Sequence, residues 1–210
     1  MVRRHFLSGA AYSVAAAVLP LEHVTDIASR AAKARTGAVV GHADVAAVRD
    51  MVAMFAVMDE RHGGQHGRSA LVQYLMSDVA ALCRSRFSSE DDHRHMLSAA
   101  VGVHQVGWRA YDGGEQGLAQ RYYLQSYALA RESRITGHDA FVMRTMSQQG
   151  MKPHRPEHCL TLAASAVDKV HGRVDTQTEA LFAVTHAHAL AKAGQRQEAV
   201  REAERAPAAP

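Results

Sequence analysis

The chain has 210 residues, 47% hydrophobic and 21% charged, with a formal net charge of +3. That is enough for one substantial domain or two small ones with a real core. The charge is mild and interleaved, as in Arg131-Glu132-Ser133-Arg134 and Arg201-Glu202-Ala203-Glu204-Arg205, which argues against a dedicated nucleic-acid binder with its clustered basic stripe. Alanine abounds, Asn is absent and Ile occurs only at Ile27 and Ile135, a helix-forming composition. The two cysteines, Cys83 and Cys159, sit in apolar helical patterns and lack zinc-site spacing, so they read as buried free thiols suited to a reducing compartment.

In chain order, the first signal is Arg3-Arg4-His5-Phe6-Leu7, the pattern of a twin-arginine export peptide, followed by an uncharged run from Phe6 to Leu21. The run is too short for a membrane span and contains Pro20. Ala15-Ala16-Ala17 could serve a cleavage site, but only Met1-Val2 precede the arginines. Phe6, Ala10, Val14 and Leu21 also fall at roughly helical spacing, so the alternative is a first helix packed on the one over Asp44–Arg61. The preferred reading is a cytoplasmic protein, with export by the twin-arginine pathway as the alternative. Residues 1–41 then form an N-terminal helical segment and linker, 42–205 a helical repeat domain and 206–210 a disordered tail.

A short helix is predicted over Glu22–Arg35 and a turn over Thr36–Gly41. From Asp44, Val45, Val48, Val52, Phe55 and Met58 recur at helical spacing, and the glycines after His62 end that helix. Ala70, Leu71, Tyr74, Leu75, Val79 and Leu82 mark the next helix. Ser88-Ser89-Glu90-Asp91 is a helix start, a hydroxyl cap followed by acids in the first turn, and that helix runs to Asp112 before Gly113-Gly114. Further breaks fall at Thr136–His138, Gly150–Pro156, Gly172–Asp175 and Gly194–Gln195. No strand pattern occurs, so the expected fold is all-α, built of antiparallel helix pairs.

Three sets of residues share offsets of 7, 5 and 4: Gly107, Gly114, Ala119 and Tyr123; Met146, Pro153, His158 and Leu162; Ala187, Gly194, Ala199 and Ala203. The offsets are similar to those of the tetratricopeptide repeat. In that repeat, small residues at positions 8 and 20 let paired helices cross closely, position 15 breaks the chain and position 24 is bulky. A looser earlier pair would use Met58, Ala70 and Tyr74. The expectation is a tetratricopeptide-like superhelix of about four helix pairs, with Gly107, Ala119, Ala187 and Ala199 at close crossings.

The stretches "DVAAVRDMVAMFAVMDERHGGQHGRSALVQYLMSDVAAL" and "GWRAYDGGEQGLAQRYYLQSYALA" resemble the C-terminal region of actinobacterial, mostly Streptomyces, regulatory proteins. Those proteins carry an N-terminal helix-turn-helix of the phage-repressor type, a linker reading like "RR-x-FL-GAAYS" and tetratricopeptide-like helices. The resemblance covers roughly residues 3–205. No counterpart of the helix-turn-helix is present in these residues, so direct DNA binding does not carry over. What the resemblance implies is a sensor or interaction module related to transcriptional regulators.

The fourteen histidines raise the question of a metal. His93 and His95, like His186 and His188, stand two apart and point to different helix faces, and prolines surround His154 and His158. No HExxH, CxxC or G-x-S-x-G motif occurs, so no metal, cofactor or catalytic residue is expected and the reading leans away from an enzyme, with an enzyme or biosynthetic auxiliary on the same helical scaffold as the second alternative. Binding remains. In stacked helix pairs the first helix of each pair faces a concave groove, and the repeat register places there His104, Trp108, Tyr111 and Asp112, then Met143 and Ser147, then His188 and Lys192. The earlier pair adds Phe55, Asp59 and His62. Aromatic, cationic and acidic groups in one file suit a protein or peptide partner or a small ligand. Neither direct nucleic-acid binding nor a stable membrane span is expected, and a homodimer is left open.

Overall fold

The computed structural model describes residues 21–62, 67–150 and 155–205. The run Phe6–Leu21, read as a first helix or an export signal, lies outside them except for Leu21. So does the expected tail at 206–210.

Helix α1 spans Leu21–Arg35 and α2 His42–His62. Helix α3, Arg68–Tyr74, widens into a π-helical turn at Leu75–Val79 and continues as α4, Ala80–Cys83. Helix α5, Glu90–Ala100, passes through a 3-10 turn at Val101–Val103 into α6, His104–Asp112. Then follow α7 (Gln116–Ser133), α8 (His138–Gly150), α9 (Pro156–Val170), α10 (Thr176–Lys192) and α11 (Arg196–Arg205). Among the described residues there is no strand. One isolated bridge joins Val40 to Phe87, with the Val40 amide donating to the Arg86 carbonyl and the Ser88 amide to the Val40 carbonyl. The chain is all-α.

The capping signal at Ser88-Ser89 acts as expected, and the break at Gly172–Asp175 supplies a further cap. Ser89 Oγ accepts from the Asp92 amide at the start of α5, and Asp175 accepts from the Thr178 amide at the start of α10. Gly114 and Gly194 take φ of +78° and +83° in the turns after α6 and α10, where a side chain would be strained.

The described residues divide into two compact units, one up to Ser133 and one from Arg134. The expected boundary after residue 41 is not one of them. Ile27 and Ala34 of α1 lie in the same core as Val45, Val48, Met51 and Phe55 of α2, because α1 has an apolar face that this core covers. In the first unit α2 packs on α5, and α5 and α6 pack on α7. Helices α2 and α3 meet through the rings of Phe55 and Tyr74, 5.8 Å apart. In the second unit α8 pairs with α9 and α10 with α11, and α10 also packs on α8 and α9.

The single helix expected from Ser88 to Asp112 is interrupted at Val101–Val103. The tighter turn exposes the Val101 carbonyl to two side chains, Ser126 Oγ at 2.8 Å and His104 Nδ1 at 2.9 Å. It also seats Gly102 where an added Cβ would stand 2.7 Å from Val52 Cγ1. The π-helical turn is engaged in a similar way. Arg35 Nη2 donates to the Ser77 carbonyl at 2.8 Å and pairs with the buried Asp78 at 3.3 Å.

In the first and third sets the expected small residues lie on the buried sides of their helices. Gly107, Ala119, Ala187 and Ala199 are all buried. The middle set is displaced by one residue. Met146 and Leu162 are half-buried and His158 is exposed, whereas Ser147, Cys159 and Ala163 are buried. Ser147 Oγ donates to the Cys159 carbonyl at 2.8 Å. The corrected series Gly107, Ser147, Ala187 and Ala119, Cys159, Ala199 has a uniform period of 40 residues. Pro153, the breaker of that set, lies outside the described residues. Side-chain size favours the displaced register, since Ser and Cys fit a close crossing better than Met and His.

Candidate helix-face binding site

The expected groove residues fall into three groups. Phe55 is fully buried against Tyr74, and Met143 and Ser147 are buried between α8 and its neighbours, so none of the three is available to a partner. The reason is periodicity. Phe55 shares the buried face of α2 with Val48, Met51 and Met58, and the one-residue shift turns Met143 and Ser147 inward. The His62 side chain lies outside what the structure describes.

In the first unit, Trp108, Tyr111 and Asp112 stand on the outer side of α6, with Trp108 36% exposed and Asp112 exposed. Tyr111 is half-buried, and burial and the neighbouring Asp112 carboxylate push its phenol upward. His104 begins the same file but is tied to the Val101 carbonyl, and burial drives its pKa down.

Beneath this file lies Arg109, a charged residue outside the expected groove set. It is 1% exposed. Its Nη2 donates to the Phe55 carbonyl at 2.6 Å, and its Nε lies 3.2 Å from Asp59 Oδ1. Asp59 is therefore the counter-ion of a buried guanidinium rather than a groove side chain open on all sides. Burial raises the Asp59 carboxyl, Arg109 opposes that, and Asp112 and Glu60 add to it. The signal was present in the sequence: Arg109 stands between Val106-Gly107 and Ala110 on the buried side of α6, where a charge requires a partner. Nearby, Arg68 and Glu115 form a two-pronged pair that joins the start of α3 to the turn before α7, with Nη2 to Oε2 at 3.0 Å.

In the second unit, His188 and Lys192 are exposed on α10, in file with Leu181 (44% exposed) and Val184 (58% exposed). Glu179, the one acid of α10, turns to the other side and accepts from the Gly172 amide. Beside the file lies Arg144 of α8, whose Nε donates to the Leu181 carbonyl at 3.3 Å and whose pKa burial lowers. The 40-residue period identifies Arg144 and Gln148 as the residues of α8 equivalent to His104 and Trp108. The offsets of 7, 5 and 4 place Met143 and Ser147 there instead. The face formed by α8 and α10 is thus apolar and cationic.

On another side of α10 is an open cleft of about 410 Å3, lined by Asp168 and His171 near the end of α9, by Glu179 and Ala183 of α10, and by Glu202 and Arg205 of α11. His186 Nδ1 lies 3.0 Å from Glu202 at its edge. Among the described residues no group of three or more His, Cys, Asp or Glu side chains could hold a metal ion. Burial pushes the Cys83 thiol up to about 11 and raises Cys159 as well, so both stay protonated at neutral pH. No described helix is long and apolar enough to cross a membrane. No family model, curated protein or solved structure matches the chain.

Proposed function

We propose that the chain is a regulatory binding module of tetratricopeptide-like helix pairs, working in the cytoplasm, that captures a protein segment on the exposed faces of the first helices of its pairs. The observation that carries this reading is the file Leu181, Val184, His188 and Lys192 on α10. Large apolar and cationic side chains stand in solvent there without contributing to the core. Such a file suits a segment that brings apolar anchors and carboxylates. Trp108 and Tyr111 offer a second contact face of aromatic character on the first unit.

The test is panning of displayed random peptides against the full chain. Enriched sequences should combine apolar and acidic residues. Their binding should fall at least tenfold in a Val184→Asp, Lys192→Glu double variant that retains wild-type helical content. Peptides that bind this variant as tightly as the wild type would remove the face from the reading. Trp108, the one tryptophan of the chain, supplies a fluorescence signal for contact with the first unit.

A further inference from the structure

Helix α11 has ten residues, and only Ala199 among them is buried. By the 40-residue period, Val200 and Ala203 correspond to Leu160 and Ala163 of α9. In α9 these positions are half-buried and buried, because α10 packs over that helix. In α11 both are exposed, Val200 to 57%. The face that is covered in one pair is therefore open in the next.

The charges around this open face are arranged in a particular way. Arg196, Val200 and Glu204 stand at successive four-residue steps, all exposed, on one side of the helix. A second α11 laid antiparallel, with Val200 on the two-fold axis, sets Arg196 of each copy opposite Glu204 of the other. Gln197 then faces Ala203, and Val200 meets its own counterpart. The pattern matches itself only when the helices run antiparallel, because a parallel pairing opposes like charges. Self-matching of a single patch is what a two-fold interface requires.

We propose that two copies of this chain associate through α11 in this antiparallel arrangement, each α11 covering the Val200 face of the other. One short helix per copy buries less than the roughly 1,200 Å2 of stable interfaces, so the dimer forms reversibly at micromolar or higher concentration. Two exposed ion pairs make it sensitive to salt.

The experiment is sedimentation equilibrium of the full chain over a concentration series, with four proteins: wild type, Arg196→Glu, Glu204→Arg and the double variant. Each single substitution opposes like charges across the axis and should weaken dimerisation at least tenfold, while the double variant restores the pairs in reverse and should return to within about threefold of wild type. Both single substitutions favour the helix itself, placing an acid in its first turn and a base in its last, so loss of the dimer does not arise from melting of α11. They also move the net charge in opposite directions, to +1 and +5, so general repulsion between copies would not weaken both alike. Val200→Asp should leave a monomer with unchanged helical content. A wild type that stays monomeric across the series would overturn the proposal. So would a double variant that does not recover, since the face would then be covered by something other than a second α11.

Discussion

A Cβ added at Gly107 would stand 2.7 Å from Cε1 of the Tyr123 ring. Helices α6 and α7 are brought together at this point by the absence of a side chain on one and a flat ring on the other. The expected consequence is that Gly107→Leu destabilises the protein by about 1–3 kcal/mol through overpacking. Thermal unfolding of Gly107→Leu, alone and combined with Tyr123→Ala, checks it. Removal of the ring should make the leucine markedly less costly. Equal costs in both backgrounds would mean that the ring is not what the leucine strikes.

The one-residue displacement of the middle helix pair has its own signature. Ser147→Ala removes a buried hydroxyl that donates to the Cys159 carbonyl, at an expected cost of about 0.5–1.5 kcal/mol. Cys159→Leu should cost more, because it inserts volume at a site where Sγ already lies 2.7 Å from the position of a Gly150 Cβ. His158→Ala, on the exposed side, should stay within about 0.5 kcal/mol of wild type. Denaturant titrations of the three variants distinguish this register from the one in which His158 occupies the crossing.

The two partners of the buried ion pair are not equivalent. Arg109 is almost wholly inaccessible, whereas the Asp59 side chain keeps 21% of its exposure. Asp59→Ala strands a buried cation and should cost about 3–5 kcal/mol. Arg109→Met removes the buried charge, retains much of the packing volume and leaves a carboxylate that water can reach, so it should cost less. Chemical denaturation of both variants decides the order, and a costlier Arg109→Met would show that the guanidinium bonds to the Phe55 carbonyl outweigh the charge.

His104 couples stability to pH. Burial holds its pKa below the usual imidazole value of 6.5 in the folded chain, against a smaller opposing effect of the Val101 carbonyl. The unfolded chain therefore binds the proton first, and stability falls as pH drops from above 6.5 toward the lowered folded pKa. His104→Asn keeps a donor near the Val101 carbonyl but cannot titrate. Melting temperatures between pH 7.5 and pH 5 should decline more steeply for wild type than for this variant. Parallel curves would place the acid sensitivity in other groups.

The local features of this protein follow from its residues alone. Helical spacing of Val45, Val48 and Phe55, the Ser89 cap and the glycines at 114 and 194 specify helices and turns through interactions within a few residues of chain. The burial of Gly107, Ala119, Ala187 and Ala199 was legible for the same reason, because small side chains recur there at the spacing of paired helices. What faces what is a different matter. Phe55 reads equally well as core or as groove until α3 brings Tyr74 to it, and Asp59 reads as a ligand group until α6 brings Arg109. Ser147 and Met146 differ by one position, about 100° around a helix, and only the packing of α9 on α8 selects the smaller one for the crossing. Periodicity reports that a helix has an inner side. The partner that defines that side is fixed by contacts tens of residues distant along the chain, where burial, volume and charge are balanced together.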